Sequence, residues 1–301
     1  MDRRSFLKTS ALGGTAAAAT TLAAPAIAQG NRTLNMVTSV PEGFAVFDDA
    51  AQRLADLVTA MTDGALTVEK KPAGSLVGPF EVFDAVSSGQ ADMYHSADYY
   101  FMNQHPAYAY FTAVPFGMTG PEMMSWYNHQ GGKELHDELG QIFGLKSFLA
   151  GNTGHQPGGW FNKEINSAAD LQGLKFRMPG FGGLALGRTG ASVQNIPGGE
   201  IYQALSSGAI DGAEWIGPFA DERMGFQEVC KFYYTSGFHE PGSALAAAMN
   251  RDVFDSLSAS QQKIVDTQAS MRTTEDLFQK QLHAYTITHA IEDGNVLRFH
   301  V

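Results

Sequence analysis

A single cysteine, Cys230, stands in a chain of 301 residues, which excludes an intramolecular disulfide framework and a thiolate metal cluster. Its ordinary role is that of a small buried hydrophobe. Cations are also scarce. The 20 Lys and Arg against 31 Asp and Glu give a formal charge of −11, and because residues 1–28 carry Arg3, Arg4 and Lys8 against Asp2, the remainder is more acidic still. Such a surface makes nucleic acid and anionic membrane poor partners. After Ala28 no apolar run approaches the roughly 18 residues that a spanning helix needs. The usual hydrolase handles, H-E-x-x-H and G-x-S-x-G, are missing, as is a Cys paired with a His. Pro179 to Gly187 is glycine-rich but fits neither G-x-G-x-x-G nor G-x-x-x-x-G-K-[ST], so it reads as loop and close-packing glycine, without a nucleotide-cradling role.

What is present suffices for two ordinary domains, with 44% of the residues hydrophobic and 17% charged. Residues 1–28 pass from Arg3, Arg4 and Lys8 through an Ala/Gly/Thr stretch to Ala26-Ile27-Ala28, the form of an export signal with its processing site. Arg3-Arg4-Ser5-Phe6-Leu7-Lys8 resembles the twin-arginine signal R-R-x-F-L-K, with Asp2 where Ser or Thr is usual. That resemblance implies folding before export and work outside the cytoplasmic membrane.

Thr33 to Val40 alternates as a strand, and Phe44, Phe47, Ala51, Leu54, Val58 and Met61 recur at helical spacing until Gly64. Ala65 to Lys71 reads as strand, Phe80 to Ser88 as helix closing at Gly89, and Ala91 to His95 as strand. This alternation predicts a mostly parallel, helix-covered sheet. An internal repeat follows: Glu81 to Met93 aligns without gaps on Glu200 to Gly212, sharing Glu, Ala, Ser, Ser, Gly and Asp. Both copies read as helix, glycine cap and strand entered through Asp, so two similar α/β lobes are expected. Ligands bind at strand ends in open α/β sheets, which singles out His95-Ser96 and Glu214-Trp215. Gly151 to Gly159, too glycine-rich for a helix or regular strand, and the strand Leu174 to Met178 would line the same cleft. Ser258 to Gln261 has capping-box spacing and opens the longest helix, to about Asp293. Asn295 to Val301 then reads as a strand without a partner, as if the chain were incomplete.

Two polar residues stand in apolar surroundings. Arg177, in Leu174-Lys-Phe-Arg-Met-Pro, needs a carboxylate partner, and Glu214, between Ala213 and Trp215, is costly to desolvate unpaired. They could pair with each other or serve a ligand. His129 and His136 read as solvated residues on one helix. Tyr94, Tyr99, Tyr100, Phe101, Tyr108, Tyr110 and Phe111 form an aromatic cluster best read as core and interlobe packing.

Phe176-Arg-Met-Pro-Gly, together with Ile196-Pro-Gly-Gly-Glu-Ile-Tyr-Gln-Ala-Leu-Ser-Ser-Gly-Ala-Ile-Asp-Gly-Ala-Glu-Trp215, resembles the solute receptors of tripartite ATP-independent periplasmic (TRAP) transporters. Gly154-His-Gln156-Pro-Gly-Gly-Trp, Glu214-Trp215-Ile-Gly-Pro and Phe238-His-Glu240-Pro-Gly are similar to the branch that binds 2-oxo or 2-hydroxy monocarboxylates through a metal ion. The resemblance implies an α/β, type II-like, two-lobe clamshell of a periplasmic binding protein. Residues 29–150 would form lobe 1, residues 151–250 lobe 2, and residues 251–301 a long C-terminal helix spanning both lobes and the start of a strand. It further implies that Arg177 binds the substrate carboxylate through two parallel N–H···O bonds. Gln156, Glu214, the Trp215 backbone carbonyl and Glu240 would ligate the metal, and Asn152 with Tyr99 or Tyr100 would add polar contacts to the substrate.

Physical reasoning agrees with that set. An anion on Arg177 is repelled by Glu214 unless a cation stands between them, and all-oxygen ligands suit Na⁺ or Ca²⁺, with Mg²⁺ also hard enough. The expectation is therefore a non-enzymatic periplasmic receptor for a pyruvate- or lactate-like acid. It would deliver that acid to TRAP permease subunits in the membrane and form a homodimer, as members of the branch do by exchanging C-terminal helices. The rivals are an exported metal-dependent enzyme using Glu214 as base on organic acids, and a ligand sensor of the same fold.

Overall fold

The computed structural model describes residues 31–271. The export signal at 1–28, the continuation of the last helix to Asp293 and the strand at Asn295 to Val301 lie outside the described residues. Two five-stranded sheets organise the chain.

The first sheet contains β1 (Arg32–Thr38), β2 (Leu66–Lys71), β3 (Met93–Ser96), β4 (Leu145–Asn152) and β10 (Ala244–Asn250), in the order β2-β1-β3-β10-β4. The second contains β5 (Gly159–Phe161), β6 (Lys175–Arg177), β7 (Ser192–Gln194), β8 (Gly212–Ala213) and β9 (Phe232–Tyr234), in the order β7-β6-β8-β5-β9. Each sheet has three parallel strands followed by an antiparallel one: β10 beside β3, and β5 beside β8.

The expected parallel, helix-covered start is present. In α1 (Phe47–Met61) Phe47, Ala51, Leu54 and Val58 form the buried face, and Gly64 follows with a φ of 76° that favours glycine. The repeat extends to its acidic residue. Asp92 accepts Asn35 N at 2.7 Å and donates its own N–H to Asn35 O; Asp211 does the same with Lys175 N at 2.9 Å and Lys175 O. Each Asp thus ties the incoming strand to its parallel neighbour. Both copies cap their helix with a left-handed glycine, Gly89 at φ 80° and Gly208 at φ 72°.

Three expectations change. Ala244–Asn250, assigned from sequence to residues 151–250 of lobe 2, returns to the first sheet between β3 and β4; its unbroken apolar run suits a strand covered on both faces. Gly151 and Asn152 continue β4, so only residues 153–158 are loop. The glycine-rich stretch forms a helix, Gly180–Gly187, because packing overrides propensity: a Cβ on Gly182 would meet His239 Cβ at 2.6 Å.

Ser258 and Gln261 exchange capping bonds as expected, starting a helix at Ala259–Met271 that packs on β4 and α1. No helix among the described residues is long and apolar enough to cross a membrane.

Candidate ligand and metal site

Both sequence-selected strand ends are fully buried. Beyond β8, Glu214 donates its backbone N–H to Arg177 O, which draws the neighbouring strands β6 and β8 to a common end. Pro179 closes β6, and Gly180, at φ 63°, turns the chain against the Tyr99 ring.

Arg177 is wholly buried and makes four hydrogen bonds: Nε to Ile196 O (3.1 Å), Nη1 to Glu214 O (3.1 Å) and to Glu214 Oε1, and Nη2 to the Tyr100 hydroxyl (3.2 Å). Its guanidinium also lies over the Trp215 ring, 5.2 Å from the centroid. Burial is the largest single influence and opposes its charge, yet Glu214 together with Tyr100 and Tyr99 holds its pKa above the ordinary value. The two residues therefore do pair, the simpler of the two sequence readings. Of five N–H donors, one on Nη2 is left for a guest, so the fork with two parallel bonds is not free in this arrangement.

The pair does not account for its surroundings. One ligand-type atom from each of Glu214, His239 and Glu240 lies within 4.8 Å of the others, all buried. His239 Nε2 is 3.3 Å from Glu214 Oε2. Glu240 Oε2, Gln156 Oε1, Asn152 Nδ2 and His239 Nδ1 are buried without a hydrogen-bond partner, a concentration of unmet polar atoms that calls for a ligand. Gln156 and Asn152 are held from behind. Gln156 Nε2 donates to Thr153 Oγ1 at 2.8 Å, its N–H donates to Glu240 O at 2.9 Å, and Asn152 Oδ1 accepts Gly154 N at 2.8 Å.

Burial, and next the Glu214 charge, push the Glu240 carboxyl up to about 7. Burial works to lower the His239 pKa, but its bond to Glu214 and the two acidic charges leave it raised. The orphaned oxygens of Gln156 and Glu240, beside the Glu214 carboxylate, fit a hard cation.

Tyr99 and Tyr100 belong to a 3₁₀ turn at Asp98–Phe101 and form one wall of a cavity of about 300 Å³, with Met178, Gly180 and Gln194 opposite. Trp215 stacks on Phe47 at 5.9 Å and meets Phe44 edge-on at 6.2 Å, so residues of the first lobe grip the end of a second-lobe strand. Arg177, Glu214, Gln156, Glu240, Asn152, Tyr99, Tyr100 and Trp215 are thus all buried.

Sequence reasoning missed His239, although its place beside Glu240 in Phe238-His-Glu-Pro-Gly was the available signal. His136 is corrected from solvated to buried. It bonds Asp98 at 2.7 Å and Tyr127 at 3.1 Å, in a helix (Gly132–Gln141) separate from exposed His129. The aromatic cluster is core as expected, except for Tyr110, which is 56% exposed.

Residues 36–293 match the family model described as bacterial extracellular solute-binding protein, family 7 (DctP). A monocarboxylate 2-oxoacid-binding periplasmic protein of Nostoc sp. is 41% identical over 232 residues, 77% of this chain; the chain spans 64% of that relative. A TRAP periplasmic solute-binding protein of Pseudoalteromonas atlantica, solved with bound sodium and pyruvate, superposes with a TM-score of 0.85 at 39% identity, covering 90% of this chain and 82% of that one. One from Colwellia psychrerythraea, with bound calcium and pyruvate, gives 0.84 at the same identity and coverage. By the extent of the family match, the chain belongs to the DctP family of extracellular solute-binding proteins.

Proposed function

We propose that this chain is the periplasmic receptor of a TRAP transporter and binds a small 2-oxo or 2-hydroxy monocarboxylate, pyruvate- or lactate-like, through Arg177 and a hard cation. The observation that carries the reading is the convergence of Glu214, His239 and Glu240, with partnerless buried oxygens on Gln156 and Glu240, around an arginine. Two buried carboxylates at such range repel each other unless positive charge stands between them.

The cation, Na⁺ or Ca²⁺ by its oxygen donors, would be held by Gln156, Glu214, Glu240 and the Trp215 carbonyl. When bound it offers a charge that a carboxylate oxygen and the adjacent oxo or hydroxyl oxygen can chelate. Arg177 balances the substrate charge and offers its remaining Nη2 N–H. Asn152 Nδ2 is a free donor for a substrate oxygen, and Tyr99 and Tyr100 close the side of the site. Related receptors solved with bound sodium and pyruvate or with bound calcium and pyruvate support this reading.

An enzyme is disfavoured, since the family consists of solute-binding receptors. Glu214, engaged by Arg177 and His239, also makes a poor general base. Residues 1–28 serve as the twin-arginine signal in this reading, and permease subunits receive the ligand; a homodimer is the proposed assembly.

Trp215, gripped from both lobes, gives the test. Protein stripped by unfolding and refolding is titrated with pyruvate, lactate, longer 2-oxo acids, succinate and acetate, with and without each metal, following tryptophan fluorescence. A metal-dependent response to 2-oxo or 2-hydroxy acids alone is expected. An equal response to acetate, or turnover of any acid, would overturn the proposal.

A further inference from the structure

The Trp215 carbonyl has its direction set by a residue outside the proposed ligand set. Trp215 C=O and Ile216 N–H belong to one trans peptide, so they point in opposite directions. Ile216 N donates to Asp221 Oδ1 at 3.0 Å, and Gly217 N donates to the same oxygen at 2.9 Å. The other oxygen, Oδ2, accepts from Trp160 Nε1 at 3.0 Å. Asp221 lies fully buried in a short helix, Pro218–Arg223, and Trp160 in β5. On the other side, Arg177 Nη1 holds Glu214 O at 3.1 Å. The peptide between Trp215 and Ile216 is thus pinned by its N–H, with its carbonyl turned away from Asp221, and the peptide before it is pinned by its C=O.

We infer that Asp221 is a positioning residue for the cation, aiming the Trp215 carbonyl by holding the N–H of the same peptide. The inference rests on the receptor reading above. Three N–H donors around one carboxylate suit an acceptor-only side chain and no isostere: an amide in its place must turn its NH₂ toward Trp160 Nε1 or toward the two backbone N–H groups. Partners behind a ligand that fix its orientation commonly govern metal affinity.

The test measures calcium affinity by calorimetry on the stripped full chain with pyruvate saturating, alongside thermal melting. Asp221→Asn is expected to weaken calcium about tenfold or more. Trp160→Phe removes the competing donor, so adding Asp221→Asn to it lets the amide oxygen serve Ile216 and Gly217. That double variant should bind calcium within about threefold of Trp160→Phe alone. A merely structural role would lower the melting temperature and leave the calcium affinity of folded protein unmoved.

Unchanged calcium affinity in folded Asp221→Asn overturns the inference while calcium-dependent binding by the wild type leaves the receptor reading standing. Absence of both calcium- and sodium-dependent pyruvate binding in the wild type fails the receptor reading itself; where only sodium binds, the same comparison is read with sodium. Should the single variant not fold, Asp221→Ala on the Trp160→Phe background is read against the double variant: calcium weakened about tenfold once the acceptor oxygen is gone supports the inference, and equal calcium affinity in the two overturns it.

Discussion

His95 and Glu214 occupy equivalent positions in the two copies of the internal repeat, both with no exposed surface and both past the same Asp-entered strand start. They are used differently. His95 Nε2 lies 3.0 Å from Ala150 O and links β3 to β4, and burial lowers its pKa to about 4, so it sits there as a neutral group. Glu214 is bound by Arg177 and His239 and belongs to a cluster of charge with unmet hydrogen-bonding capacity. The frames around them differ in the same sense. Strands of the first sheet run four to eight residues, whereas those of the second run two or three. The first lobe is held by ladder and apolar core; the second replaces part of its ladder with side-chain bonds from Arg177 and Asp221. One strand end serves as a scaffold, and its counterpart carries the cluster proposed to bind the ligand.

Changes in each lobe should therefore separate stability from affinity. Arg177→Lys keeps a charge beside Glu214 but loses the planar fork, and is expected to weaken pyruvate binding about a hundredfold or more, read by calorimetry. Phe148→Ala, in the buried first-lobe core, should cost about 3–5 kcal/mol in urea denaturation and leave affinity in the surviving folded protein unchanged.

His95 sharpens the contrast through pH. The unfolded chain protonates this residue near 6.5 and the folded chain near 4, so the unfolded state binds more protons between those values and stability falls as pH falls. Between pH 7 and 5 that loss is about 2 kcal/mol, and His95→Gln should remove it from the pH profile of the denaturation midpoint. The smallest effect is expected at Gly198, where a Cβ would sit 2.4 Å from the Trp215 ring. Gly198→Ala should displace that ring and weaken ligand about fivefold, with a shifted tryptophan emission.

The sequence revealed those features whose signals are local. Periodicity located α1, and the repeat singled out Asp92 and Asp211 at their strand entries, where the structure then shows matching contacts. Arg177 and Glu214 stood out because each is charged within an apolar run. What escaped depends on long-range closure. Nothing near Ala244–Asn250 reports that it crosses back into the first sheet, and Gly180–Gly187 is helical because Gly182 and Gly183 must approach His239 and Met178 closely. His136 is buried by partners, Asp98 and Tyr127, that reach it from other elements. His239 was overshadowed by the acidic residue beside it.

If a cation and Arg177 hold one acid together, calcium and pyruvate must be thermodynamically coupled, a coupling that calorimetry reads in sodium-free buffer. Linkage requires that pyruvate tighten calcium by the same factor as calcium tightens pyruvate, and an effect of at least about tenfold is expected in both directions. Pyruvate affinity that is the same with and without the metal would contradict it.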